Sequence, residues 1–235
     1  MEKFYNKSSK FYDDEYDPKF NHFHFERYAS KRWKLLNKII NQDNPDFKMD
    51  EILDLGCGEG NFTNFINNQS ESNIIGVDAS NRCCDIAKKR YNDITILNED
   101  CENLSFNDNT FDLVFTNAVL HHVEDIEKAI LEAYRVVKTS GYIVFIEPNR
   151  YHPLQILHGL ASKHERGTLK FSMSKIRILL NKYFSDNQFW IEPLNTYLYV
   201  RKNFPGKNFQ NLFIFLEDLF EYYYLSTHYL IMAKK

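Results

Sequence analysis

The sequence predicts an α/β fold: a largely parallel sheet with helices on both faces. Three observations lead there. Short β-branched or aromatic runs alternate with longer amphipathic segments from about residue 50 to Pro148; each run is short and apolar enough to be a buried strand; and the first run enters a glycine-rich turn, EILDLGCGEGNF over residues 51–62. Successive strand–helix–strand units place their strands in parallel, and such sheets bind ligands beyond the carboxyl ends of the strands, near the first.

The elements follow in order. From His22 onward, HFHFERYASKRWKLLNKII sets Phe25, Tyr28, Ala29, Trp33, Leu36, Ile39 and Ile40 three and four residues apart, which is the stripe of an amphipathic helix. Asn44-Pro45 ends it, because a residue before proline is pushed out of helical space. Residues 52–55, 74–77, 95–97, 111–115 and 142–146 read as strands. Between them 61–67, 81–91 and 125–138 read as helices, the last closed by Ser140-Gly141. Beyond Pro148 the rhythm breaks. Residues 149–171 read as a loop-rich insert and 172–184 as a helix with Ile176, Leu179, Leu180 and Tyr183 on one face. Residues 187–191 read as a strand, 208–224 as an aromatic helix with the stripe Phe209, Leu212, Phe213, Leu216 and Phe220, and 228–233 as a final strand. The chain thus divides into an N-terminal helical cap, 1–48, and a main domain, 49–235, with inserts at 149–171 and 194–227.

Composition narrows the classes of function. With 235 residues, 43% hydrophobic and 26% charged, the chain has the makings of one large domain with a true core. A net charge of −3 gives no overall attraction to nucleic acid or anionic lipid, so either would need a local basic patch, and none is evident from the sequence. The uncharged stretch 113–123 is far short of the roughly 18 to 20 apolar residues of a membrane span. MEKFYNKSSKFYDDEYD lacks the apolar core of a secretion signal, so a cytoplasmic location is expected. Cys57, Cys83, Cys84 and Cys101 lack the spacing of a disulfide framework or zinc knuckle and are expected to be reduced thiols; no metal is expected.

The turn over 51–62 carries the chemistry. Gly56, Gly58 and Gly60 allow positive φ and let a ligand lie against bare backbone. A dinucleotide fingerprint G-x-G-x-x-G needs glycine or alanine at its sixth position counted from Gly56, and here that position is Asn61. Asp54, at the strand's end, disfavours a pyrophosphate and favours a ligand with a positive group. The second strand ends in Asp78, followed by Ala79, twenty residues beyond Gly58, where a carboxylate can accept from both ribose hydroxyls. The alternative role for Asp78 is helix capping, which Ser80 can also perform.

With Asp54, Gly56, Gly58 and Gly60 in the pattern D-x-G-x-G-x-G after a strand, the chain resembles the class I S-adenosylmethionine-dependent methyltransferases. The resemblance covers residues 50–147 and the last strand, HYLIMAKK. It implies a seven-stranded sheet of order 3-2-1-4-5-7-6, with strand 7 antiparallel and residues 187–191 and 228–233 as the closing pair. It implies S-adenosyl-L-methionine as cofactor, with Cys57 in the glycine turn. NEDCENLSF, 98–106, resembles the segment that lines the adenine, which assigns Asp100 to the exocyclic amine and the Cys101 backbone to the ring edge. FDLVFTNAVLHHV, 111–123, matches the fourth strand and its turn, which puts Asn117 beside the methionine part. The Asn-Pro-Pro-Tyr segment of base and amide N-methyltransferases is replaced by Asn117, Ala118, Val119 and Leu120, so those substrates are disfavoured.

Methyl transfer needs positioning and desolvation more than a catalytic base. His121 and His122 are candidate bases for a hydroxyl or carbon acid, with packing at the helix start as the alternative, and Glu147 after the fifth strand is a comparable candidate. The N-terminal helix and the 149–171 insert would cover the cofactor, with Phe11, Tyr12, Tyr16, His22 and Tyr28 as candidate pocket residues. The reading is methyl transfer to oxygen, carbon or nitrogen of a small or lipid-like acceptor, by a monomer or homodimer that binds no nucleic acid. The alternatives are a nicotinamide-dependent oxidoreductase or a catalytically silent S-adenosylmethionine-binding module.

Overall fold

A computed structural model describes residues 25–161, 166–184, 188–194 and 226–235. Phe11, Tyr12, Tyr16, His22, His164 and the predicted helix at 208–224 lie outside the described residues. Seven strands form one sheet of order β3-β2-β1-β4-β5-β7-β6. They are β1 (Glu51–Leu55), β2 (Asn73–Asp78), β3 (Thr95–Asn98), β4 (Phe111–Asn117), β5 (Val137–Pro148), β6 (Phe189–Leu194) and β7 (His228–Lys234). The first five are parallel to one another, and β7 runs antiparallel to both β5 and β6, as the resemblance implied.

The helices are α1 (Phe25–Asp43), α2 (Asn61–Asn67), α3 (Asn81–Arg90), α4 (Ile126–Val136), α5 (Pro153–Ala161), α6 (Arg166–Lys170) and α7 (Met173–Tyr183). Strand alternation divides the core into two layers. Leu53, Leu55, Val114, Ile143, Phe145 and Ile231 face α4 and α7, whereas Ile52, Leu113, Phe115, Val144, Leu230 and Met232 face the side that carries α1. Asp54, in step with Ile52, therefore points toward α2, whose Thr63 it meets. α1 buries Ala29, Trp33, Leu36, Ile39 and Ile40 on that side, as the stripe predicts. Its last residue, Asp43, accepts from Tyr142 Oη at 2.5 Å and Lys234 Nζ at 2.6 Å, which ties the helix to β5 and β7.

Two expectations are corrected. The helix predicted over 125–138 ends at Val136, because Val137 already pairs with Phe111 at the start of β5; Ser140, at φ 68°, lies within a strand irregularity and closes no helix. The insert predicted as loop-rich holds two helices, α5 and α6. Pro153 opens α5 at a position where its missing N–H costs nothing.

Candidate active site

The glycine turn is built from backbone. Gly56 N–H and Cys57 N–H both donate to Val77 O (2.7 and 2.9 Å), which folds the turn over the end of β2. Gly58 N–H donates to Asp78 Oδ2 at 2.8 Å, so the second acidic strand end grips the first turn. A Cβ on Gly56 would lie 2.4 Å from Val119 Cγ2, and its φ is +75°; both forbid a side chain. Gly58 instead faces open space, with nothing within 4 Å of where a Cβ would stand, which leaves bare backbone for a ligand. Asn61 opens α2 and accepts from Arg90 and Tyr91, at 3.0 and 2.8 Å.

Asp54 lies at 1% exposure. Thr63 Oγ1 donates to its Oδ2 at 2.6 Å, and its Oδ1 has no hydrogen-bond partner among the described residues. Burial pushes its carboxyl up to about 7. A buried acceptor lacking a partner, in a carboxyl kept from ionising by want of a cation, suits an ammonium group. Asp78 Oδ1 accepts from Ser80 N–H (2.8 Å), and Ser80 Oγ caps α3 through Cys83 N–H (3.1 Å), so brace and cap are separate residues. Ala79 is half-buried beside them. Asp100 closes a turn by accepting from Glu102 N–H at 2.8 Å, and Cys101 is buried next to it. Burial pushes all four thiols up, Cys84 to about 11 and Cys83 to about 12, so none is a thiolate at neutral pH.

After β4 the chain makes a strained turn. Ala118 takes φ 64°, sparsely populated for a residue with a Cβ, and its N–H donates to Ile146 O at 2.7 Å. Glu147, fully buried, holds the turn: its Oε1 accepts from Val119 N–H (2.9 Å) and Leu120 N–H (2.8 Å), and its Oε2 meets His121 Nδ1 at 2.7 Å. His121 and Glu147, proposed from sequence as separate candidates, are one buried pair. His122 is half-buried with its ring 3.9 Å from that of His121, centroid to centroid; both precede α4. Asn117 Oδ1 accepts from Tyr28 Oη at 3.3 Å, so α1 does reach the ends of the strands.

Sequence reasoning missed Arg32 and the bracing role of Glu147. Arg32 is fully buried on α1, with its guanidinium 3.6 Å from the centre of the Tyr28 ring. Its signal was available: it lies three residues after Ala29 and four before Leu36, within the apolar stripe. No cluster of three metal-ligating side chains occurs among the described residues.

Comparison with known proteins agrees with this geometry. Residues 53–145 match the family model described as a methyltransferase domain. A demethylmenaquinone methyltransferase of Bacteroides fragilis is 30% identical over 155 residues, 62% of this chain and 62% of its own length. A malonyl-[acyl-carrier protein] O-methyltransferase of Hamiltonella defensa is 32% identical over 100 residues, 43% of this chain and 38% of its own. The chain therefore spans less than two thirds of these relatives. Among solved structures, the plantazolicin methyltransferase BpumL, determined with a desmethylPZN analog and SAH, superposes with a TM-score of 0.64. It is 17% identical, over 97% of this chain and 90% of that one, a likeness of fold. The strand order and the glycine turn agree with the matched segment: residues 53–145 are similar to a methyltransferase domain, on a sheet of the same order as the class I resemblance implied.

Proposed function

We propose that this protein transfers a methyl group from S-adenosylmethionine to oxygen, carbon or nitrogen of a small, hydrophobic acceptor, in the cytoplasm. The observation that carries the reading is Asp54, whose buried Oδ1 waits for a cationic partner beside a glycine turn open at Gly58. Asp54 would take the methionine ammonium, the carboxylate of Asp78 the ribose hydroxyls, and Asp100 with the Cys101 backbone the adenine edge. Gly56 and Gly60 keep the turn closed on its protein side, and Asn117 flanks the methionine part.

The cofactor supplies an electrophilic methyl on a sulfonium, whose sulfur keeps the bonding pair as the new bond to the acceptor forms. The chain's own work is to hold the acceptor in line and receive a proton where the acceptor is not already ionised. We assign that role to His121. With Nδ1–H donated to Glu147, Nε2 is the nitrogen left to accept a proton. Glu147, fully buried and bonded to Val119, Leu120 and His121, takes a positioning role in this reading. His122 lines the same turn. The name of the Bacteroides relative favours an apolar ring acceptor, consistent with the apolar character of α5.

The test is calorimetric titration with S-adenosylhomocysteine, NAD serving as control, followed by transfer of labelled methyl to phenolic, quinol and lipid acceptors. Micromolar binding of the homocysteine product alone, with label transferred to one acceptor class, is expected. Binding of NAD in its place would overturn the cofactor, and binding without transfer to any acceptor would leave a silent binding module.

A further inference from the structure

Among its described side chains, α5 turns a polar residue inward and apolar residues outward. Gln155 and Gly159 are buried, Gln155 at 5% exposure with Nε2 donating to Thr227 O at 3.3 Å. Ile156, Leu157 and Leu160 fall within about 100° of one another on the helical wheel. They point outward, Leu157 at 62% and Leu160 at 64% exposure, and Tyr151 just before the helix is 59% exposed. A helix that packs its polar side inward and leaves an apolar arc in water marks an interaction surface.

Charge identifies the partner. Over residues 149–184 the sequence carries seven Lys or Arg against one acid, Glu165, in a chain whose net charge is −3; six of the cations, Arg150, Arg166, Lys170, Lys175, Arg177 and Lys182, are among the described residues. Five of the six are exposed, Arg150 being half-buried. Ile178, at 68% exposure, shares the outer side of α7 with Lys175 and Lys182. Exposed leucines and a tyrosine beside a run of cations suit the boundary of an anionic bilayer, where apolar side chains enter the acyl region and cations meet the headgroups. A nucleic acid would match the charge and leave the leucines in water.

We infer that α5 and the basic helices α6 and α7 form a docking surface for anionic lipid bilayers. The surface adjoins the proposed chemistry. Gly167 of α6 packs so closely on the His121 turn that a Cβ would meet His121 O at 1.8 Å. A cleft of about 550 Å³ reaches His121 from the same side, with Lys170, Lys175 and Ile178 on one wall and Glu124, Asp125 and Glu127 also in its lining; Glu127 pairs with Lys182 at 2.7 Å. A membrane-dissolved acceptor would then enter without crossing water. No helix among the described residues is long and apolar enough to cross a membrane, so this contact is peripheral.

The inference stands apart from the methyl-transfer reading and is tested without it. The full chain is sedimented with vesicles of equal phosphatidylglycerol and phosphatidylcholine, and with vesicles of phosphatidylcholine alone, at low and raised salt. The expected result is sedimentation with the anionic vesicles only, weakened by salt. Leu157→Asp with Leu160→Asp, and separately Lys175→Glu with Arg177→Glu, should each weaken it about tenfold or more. All four positions are exposed, so melting curves should match the parent. Absence of sedimentation, or equal sedimentation of parent and variants, overturns the inference. A dimer that the leucine variant dissolves, without vesicle binding, would assign the face to a second copy. Retention of RNA in place of vesicles would assign the cations to nucleic acid, and both results overturn it.

Discussion

Asp54 shows how a single residue can hold function and stability in opposition. Its carboxyl is pushed up to about 7 by burial, so it binds a proton more tightly folded than unfolded. Its stabilising contribution is therefore full below its ordinary value of 3.8 and is lost as the pH rises toward 7. Asp54→Asn, which keeps an acceptor for Thr63, should raise the stability of the ligand-free protein at pH 8 by about 1–3 kcal/mol while weakening S-adenosylhomocysteine at least tenfold. Thermal melting and calorimetry on the same sample check both. In the parent the affinity should fall as the pH drops below about 7, with proton release on binding; in the variant that dependence should vanish. For the proton acceptor, Glu147→Gln should lower kcat with little change in KM and shift the pH profile of turnover, and His121→Ala should lower it further; unchanged profiles would reduce the pair to packing. Asp54 and the glycines were legible in the sequence because their chemistry is contiguous within seven positions. The His121–Glu147 pair was not, because the partners are 26 residues apart and only the pairing of β4 with β5 brings them together.

At the scale of elements, α2, α3 and α7 were read to within a residue, whereas β5 begins before the expected residue 142 and α4 ends before the expected residue 138. A buried parallel strand announces itself by composition, whereas the end of α4 is set by Val137 pairing with Phe111, a contact 26 residues distant in sequence. The helices α5 and α6 were read as loop for the same reason that α5 is informative: an apolar arc facing water obeys no rule written for helices that face a core. Within α4, Asp125 caps Lys128 N–H at 3.1 Å, and Asp125→Ala should cost about 1 kcal/mol in a denaturant titration. Gly167→Ala should do more. Its methyl would press on the His121 backbone, so we expect a loss of about 1–3 kcal/mol with a drop in turnover, read by melting and labelled transfer.

At the scale of the whole molecule, Arg32 of α1, His121 before α4 and His152 before α5 all act on His228 of β7. His228 is pushed well below its ordinary 6.5 by burial and by the charges of Arg32, His121 and His152, and His152 is lowered by burial alone. A histidine held neutral contributes stability above its ordinary value, and that contribution is lost as the pH falls through 6.5. Asp54 works in the opposite direction. In the Asp54→Asn background the histidine loss stands alone, so the melting temperature should fall between about pH 7.5 and 5.5 more steeply than in the parent. At this scale the sheet order was legible, because it followed from the resemblance of the glycine turn and the last strand; the packing of α1 into the core was legible only as a stripe. The sheet order also bears on how the chain is made. β7 lies between β5 and β6, yet about 34 residues separate the end of β6 from its start. At roughly 5–20 residues per second, a ribosome extrudes β6 seconds before the strand that must seat it. During that interval the edge of β5 that β7 will cover is bare, a place where whatever shields nascent β-edges in the cell would act.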